Sequence, residues 1–153
     1  MSGRTVELGG RWRAELAFDR LRIFSLGVEP LPHMISVPLP RHGDVEWGRW
    51  FVRWQPETAP SVHERQARSA WFPPEELVLR AARPGERLHP LGGVGSRSIV
   101  RCFQEARVPR SRRAGWPVFE SEGRVVWIPG VCRSDALVPE AGTEAVRVDV
   151  NHK

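Results

Sequence analysis

Along the first half of the chain, apolar and polar residues alternate at every second position. Across residues 11–18, Trp12, Ala14, Leu16 and Phe18 interleave with Arg11, Arg13, Glu15 and Ala17, the period of a half-buried β-strand. Residues 21–26 (LRIFSL) continue the pattern. Four prolines spread over residues 29–43 limit that stretch to an edge strand or an extended crossing, because proline has no N–H to give to a ladder. DVEWGRWFVRW then predicts a hairpin turning at Gly48, with Trp50, Val52 and Trp54 on one face of its second arm. These tryptophans read as core, since aromatic side chains carry large burial energies. ETAPSVHERQARSA suits a short helix or a loop equally. LVLR after Pro73 and Pro74 predicts a strand, PVFE and RVVWIPG around Ser121, Glu122 and Gly123 a second hairpin, and residues 145–150 alternate once more.

The period lengthens to 3.6 in one place. Ile99, Phe103 and Ala106 share one arc of a helix, while Arg97, Arg101 and Gln104 hold the opposite arc. Ser96 is placed to cap its start, and Pro109 is expected to end it by pushing Val108 toward an extended backbone. At 153 residues the chain fits one domain, mostly β with one principal helix (α+β).

Charge sharpens the picture around that helix. The formal charge is +5, and every basic residue but Lys153 is an arginine. Between Arg83 and Trp116 stand eight arginines against Glu86 and Glu105, a local +6 that leaves the remainder at −1. One concentrated basic segment on a balanced body points to an anion-binding patch; the competing reading is an ordinary solvated helix face. Gly92, Gly93, Gly95 and Ser96 form a candidate phosphate loop before the helix, or else a plain turn. The patterns of nucleotide loops fail, because no lysine lies near these glycines and Ser98 stands where a third glycine belongs. Trp116 is either a stacking platform for a base or a buried ring.

Candidates for catalysis are sparse. HExxH and GxSxG are absent, and His33, His42, His63, His89 and His152 lack ligand spacing. Cys102 and Cys132 belong to no CxxC pair and read as buried, idle thiols. No apolar run approaches the ~20 residues a bilayer demands, and the polar start is unlike a signal peptide. A cytoplasmic location is expected.

RPGERLHPLG from Arg83, the basic helix ending in RVPR, WPVF from Trp116 and VVWIPG from Val125 resemble, in order and spacing, the C-terminal domain of bacterial tRNA(Ile)-lysidine synthetase. SDALVPEAGT, residues 134–143, is similar to that family's tail, so the shared motifs run over residues 77–143. The resemblance implies a β-sandwich-like fold of the type shared with the phenylalanyl-tRNA synthetase β subunit, and a role in gripping the acceptor stem of tRNA(Ile). In the family, ATP with Mg activates the first anticodon cytidine for attack by free lysine, on an N-terminal pyrophosphatase domain whose SGGxDS loop this sequence lacks. Residues 1–153 are thus expected to be a single non-catalytic tRNA-binding domain with no cofactor of its own. Such a domain fits a C-terminal part, a separated half of a split enzyme, or a product truncated at its start. Arg83, Arg87, Arg97, Arg101, Arg107, Arg110, Arg112 and Arg113 are the expected RNA contacts. Ser98, Cys102 and Cys132 depart from the family's basic and bulky apolar pattern. The alternative is a protein-interaction module that docks on a separately encoded catalytic subunit.

Overall fold

The computed structural model describes the backbone of residues 4–9, 12–17, 20–25 and 34–38, the side chain of Val37, and residues 42–153 in full. The strands are β1 (Arg4–Gly9), β2 (Trp12–Ala17), β3 (Arg20–Ser25), β4 (Met34–Pro38), β5 (His42–Trp47), β6 (Trp50–Pro56), β7 (Ser69–Phe72), β8 (Glu76–Arg80), β9 (Arg87–Leu88) and β10 (Arg97–Ser98). Helices α1 (Ile99–Glu105) and α2 (Arg110–Arg113) follow, then β11 (Val118–Ser121), β12 (Arg124–Ile128), β13 (Cys132–Arg133) and β14 (Val146–His152).

A seven-stranded sheet runs β1-β2-β3-β5-β6-β14-β7, and a five-stranded sheet runs β13-β12-β11-β8-β4. Pairing is antiparallel except between β3 and β5. β2 and β3 form where the alternation predicts strands; which faces their side chains occupy lies outside the described residues, as do Phe18, Leu26 and residues 26–33. The proline-rich stretch supplies β4 at the end of its sheet, where a missing donor costs least. In the β5–β6 hairpin, the two-residue turn Gly48–Arg49 uses a left-handed glycine (φ 61°), the geometry whose twist suits a tight hairpin. Trp50, Val52 and Trp54 all face the core.

Both sheets contribute to a single apolar core. Phe72 of β7 approaches Trp127 of β12 with ring centroids 5.8 Å apart, and Trp127 stacks on Phe119 of β11 at 5.1 Å. β14 sits between β6 and β7, with Val146, Val148 and Val150 buried. The ambiguous residues 57–68 are a loop. Its backbone groups find distant partners: Glu57 N–H donates to Ala145 O, Ala59 N–H to Thr143 O, and Ala67 O accepts from Gly130 N–H. A segment so bonded has no need of a helical ladder.

Two arginines lie inside among the described residues. Arg133, 1% exposed, donates to the carbonyls of Trp71, Val126, Ser134, Ala136 and Leu137 at 2.7–3.3 Å, with its guanidinium 4.3 Å above the Phe72 ring. Burial lowers its pKa to about 10, against the pull of Asp135, so it stays charged at neutral pH. Arg80, also 1% exposed, joins Glu86 and Glu120, each at 2.5 Å. Burial works against this charge, yet hydrogen bonds to the two carboxylates outweigh it and raise the pKa. The trio ties β8, β11 and the turn carrying Arg83 and Arg87 into one unit.

Helix α1 corrects the sequence reading at both ends. Its cap is Ser98, whose Oγ accepts from Arg101 N–H at 3.2 Å; Ser96 Oγ instead accepts from Arg87 Nε at 3.0 Å. The helix stops at Glu105, ahead of Pro109, through two bonds that satisfy its last carbonyls: Arg107 N–H to Gln104 O and Val108 N–H to Phe103 O, both 3.0 Å. Arg107 occupies the left-handed position (φ 58°) that glycine usually fills. Pro109 begins α2, where its missing N–H is harmless. The chain beyond Pro109 thus resumes as a second short helix. Ile99, Cys102 and Phe103 are buried as the anchored face requires. Phe103→Ala should lower stability by about 3 kcal/mol, checked by urea denaturation; an unchanged midpoint would contradict this packing.

Candidate nucleic-acid interface

The eight arginines of the basic segment keep their side chains at least partly in solvent, while Ile99, Cys102, Phe103, Val108 and Trp116 beneath them are buried. They fall into groups by partner. Arg97 Nη1 lies 2.6 Å from Glu105 and Arg101 Nε 3.9 Å from the same carboxylate, so one acid is shared by two cations. Arg83 lies 3.8 Å from Glu120, and Arg87 bonds both the hydroxyl and the carbonyl of Ser96. Arg113 donates to Val108 O at 3.1 Å and covers the Phe103 ring at 5.8 Å, so part of its work is to hold α2 against α1. Among the described residues Arg107, Arg110 and Arg112 make no side-chain ion pair or hydrogen bond. Glu86, counted above against the segment's charge, is taken up by Arg80.

Two other expected features are placed differently. Gly92, Gly93, Gly95 and Ser96 lie in the loop of a small hairpin closed by β9 and β10. β10 stands between this loop and the start of α1, so the glycines do not open onto the helix. Gly92 and Gly95 have φ of 72° and 71°, which explains them as turn formers. Trp116 is 7% exposed; its Nε1 donates to Pro129 O at 2.9 Å and its ring meets Trp50 edge-on at 4.6 Å. It is a core residue rather than a freely exposed stacking platform.

The fold also adds groups the sequence did not single out. Arg65 and Arg97 both lie near enough to act on the Cys102 thiol, which places the loop over residues 57–68 beside α1. Arg68 crosses the Trp50 ring at 5.5 Å. Cys102 and Cys132 meet in the core, where the bond to Cys102 and then burial push the Cys132 thiol upward. The three departures from the family pattern thus have structural duties: Ser98 caps, and the two thiols fill the space under α1.

A sequence profile described as the TilS substrate C-terminal domain matches residues 77–150. A solved structure titled as the TilS C-terminal domain superimposes with a TM-score of 0.57 at 25% identity, covering 80% of this chain and 93% of that one. The chain carries a TilS C-terminal domain. The tRNA(Ile)-lysidine synthase of Symbiobacterium thermophilum is 43% identical over 81 residues, 52% of this chain and 17% of that protein. That of Geobacillus kaustophilus is 34% identical over 112 residues, 69% and 22% respectively. The chain therefore spans about a fifth of the length of these curated relatives. The TilS C-terminal domain here keeps its most basic stretch, from Arg83 to Arg113, inside the matched residues.

Arg107 tests whether that surface is kept for a ligand. Arg107→Gly should raise stability by about 1 kcal/mol, because glycine adopts the left-handed conformation without the Cβ clash. The same variant should bind RNA more weakly. Thermal unfolding and a gel-shift titration read the two effects, and a gain in both would show that Arg107 serves neither.

Proposed function

We propose that this domain grips tRNA through its sugar-phosphate backbone, at the acceptor stem of tRNA(Ile), as the RNA-holding end of a lysidine synthase. The observation that carries the reading is the arginine-rich surface of α1, α2 and the β8–β9 turn: it is anchored from below by apolar residues and left largely uncompensated above. Arg107, Arg110 and Arg112 are ready for new partners. Arg97 and Arg101 would trade half of a shared exposed carboxylate for a phosphate, a small loss. Guanidinium groups match phosphate geometry with two donors at once. Contacts of this kind position a stem rather than read its bases, so choice among tRNAs falls to stem shape and to the rest of the enzyme.

The lysine-ligating chemistry, with its ATP and Mg, belongs in this proposal to the part of the relatives that this chain does not span. Among the described residues no three His, Cys, Asp or Glu side chains converge to hold a metal. No helix among the described residues is long and apolar enough to cross a membrane.

Replacing Arg97 and Arg101 together by alanine is the direct test. Neither packs in the core, so the fold should persist. Affinity for a tRNA(Ile) transcript should drop, and the salt slope should become shallower by about 1.5, as expected for two lost phosphate contacts. Arg97 falls on β10, just ahead of α1, and not on the helix arc expected of it; unchanged affinity would make this β10–α1 surface merely solvated. Capture of a catalytic partner that survives nuclease treatment would favour the protein-docking alternative.

A further inference from the structure

A cleft of about 690 Å³ opens beside α2 and shares only Arg112 with the arginine surface described above. Its walls are the β5–β6 turn with Arg49, helix α2 with Ser111 and Arg112, and the end of β14 with His152; Trp50 and Trp116 form its floor. The Trp50 indole donates to Gly115 O at 3.1 Å, which fixes the distance between floor and α2. His152 lies flat on Trp50, with centroids 4.0 Å apart and planes at 27°. Arg68 approaches the same indole from the loop over residues 57–68. Among the described residues no aspartate or glutamate lines the cleft. The nearby Glu46 is engaged by Lys153 at 3.3 Å, and neither Arg49 nor Arg112 makes an ion pair among the described residues.

Four basic side chains drawn together from four segments, around a concavity without an acid, repel one another unless an anion enters. His152 registers that crowding: burial, then Arg68, then Arg112 lower its pKa. The concavity is far larger than a phosphate ion needs, so a bound anion can bring an organic body with it. A phosphodiester within a duplex is flanked on both sides and rides on a convex ridge, whereas a strand terminus can enter a recess.

We propose that this cleft seats a nucleotide bearing a monoester phosphate, with Arg49, Arg112 and His152 around the anion. The nucleotide comes from the 5′ end of an RNA strand or from the free pool. This extends the tRNA-binding reading, since the 5′-phosphate of a tRNA lies at its acceptor stem, and it rests on that reading only for the RNA source. Binding should strengthen as pH falls through the His152 pKa, because the protonated imidazole adds a third cation to Arg49 and Arg112 while Arg68 opposes it.

The test uses the purified chain. The His152 imidazole is titrated by NMR with adenosine 5′-monophosphate, with adenosine and with neither, His42 and His89 serving as internal controls. The monophosphate should raise the His152 pKa by about one unit, adenosine should not, and Arg49→Ala with Arg112→Ala should abolish the change. In parallel, a tRNA carrying a 5′-phosphate should bind about tenfold tighter than its 5′-hydroxyl form, a gap of one charge-assisted contact, and the double variant should close it. An NMR shift without that gap identifies the free nucleotide as the source and supports the cleft assignment. Neither effect would overturn it. In that case salt-sensitive binding of the 5′-hydroxyl tRNA would still uphold the tRNA-binding reading, and its absence would end both.

Discussion

Between 50 and 200 mM salt, the affinity of this domain for a tRNA(Ile) transcript is expected to fall by about 60- to 1,000-fold, corresponding to a log–log slope of roughly −3 to −5. The physical source is counterion release: each phosphate neutralised by an arginine frees a condensed cation, and added salt reverses that gain. About four to six contacts are drawn from Arg87, Arg97, Arg101, Arg107, Arg110 and Arg112, whose side chains are exposed or half-exposed along β9, β10, α1, α2 and the link between the two helices. Arg113 is expected to contribute least, because it is engaged with Val108 and Phe103. Filter binding across a salt series measures the slope. A flat response would remove the phosphate-gripping role, since hydrophobic or base-specific contacts do not weaken so steeply with salt.

Arg133→Ala should destabilise the fold by about 4–5 kcal/mol, since removing a buried guanidinium that serves five backbone carbonyls leaves those carbonyls without solvent or substitute. The loss is concentrated. The carbonyls of Trp71, Ala136 and Leu137 lose donors at 3.3, 2.7 and 2.7 Å, and the Phe72 ring loses the cation above it. The backbone of Arg133 also receives the N–H of Leu91 and donates to Arg65 O, so the glycine hairpin and the loop over residues 57–68 hang from the same residue. Arg133→Lys should recover little, because a point ammonium cannot reach carbonyls on two sides of a planar fork. Arg124→Ala, at an exposed strand position, is the matched control and should change stability by less than about 0.5 kcal/mol. Equal urea midpoints for Arg133→Ala and Arg124→Ala would refute the network's role.

Much of this was legible without coordinates, and the reason is local. Alternation at period two located β6 and β14, because each of these strands buries every second residue and its sequence must show that. Gly48 and Gly123 marked hairpin turns for the same kind of reason, a backbone angle that few residues tolerate. Prolines confined β4 to an edge. The charge of the segment from Arg83 to Trp116 could be counted directly, and the blocks within it carried the family likeness.

What required the fold is every feature built from residues far apart in the chain. Periodicity placed α1 but not its ends, because Ser96 and Ser98 offer the same hydroxyl and only the β9–β10 pairing assigns one to Arg87 and the other to the cap. Trp116 could have faced water until Trp50 and Pro129 closed over it. Arg80 and Arg133 read as ordinary charges in the sequence, and their burial depends on carboxylates and carbonyls supplied by other strands. The meeting of Arg49, Arg68, Arg112 and His152 has no sequence signature. A chain advertises what each segment needs from its own backbone and its own two faces; which distant groups then share one dielectric environment is decided only when the sheets close.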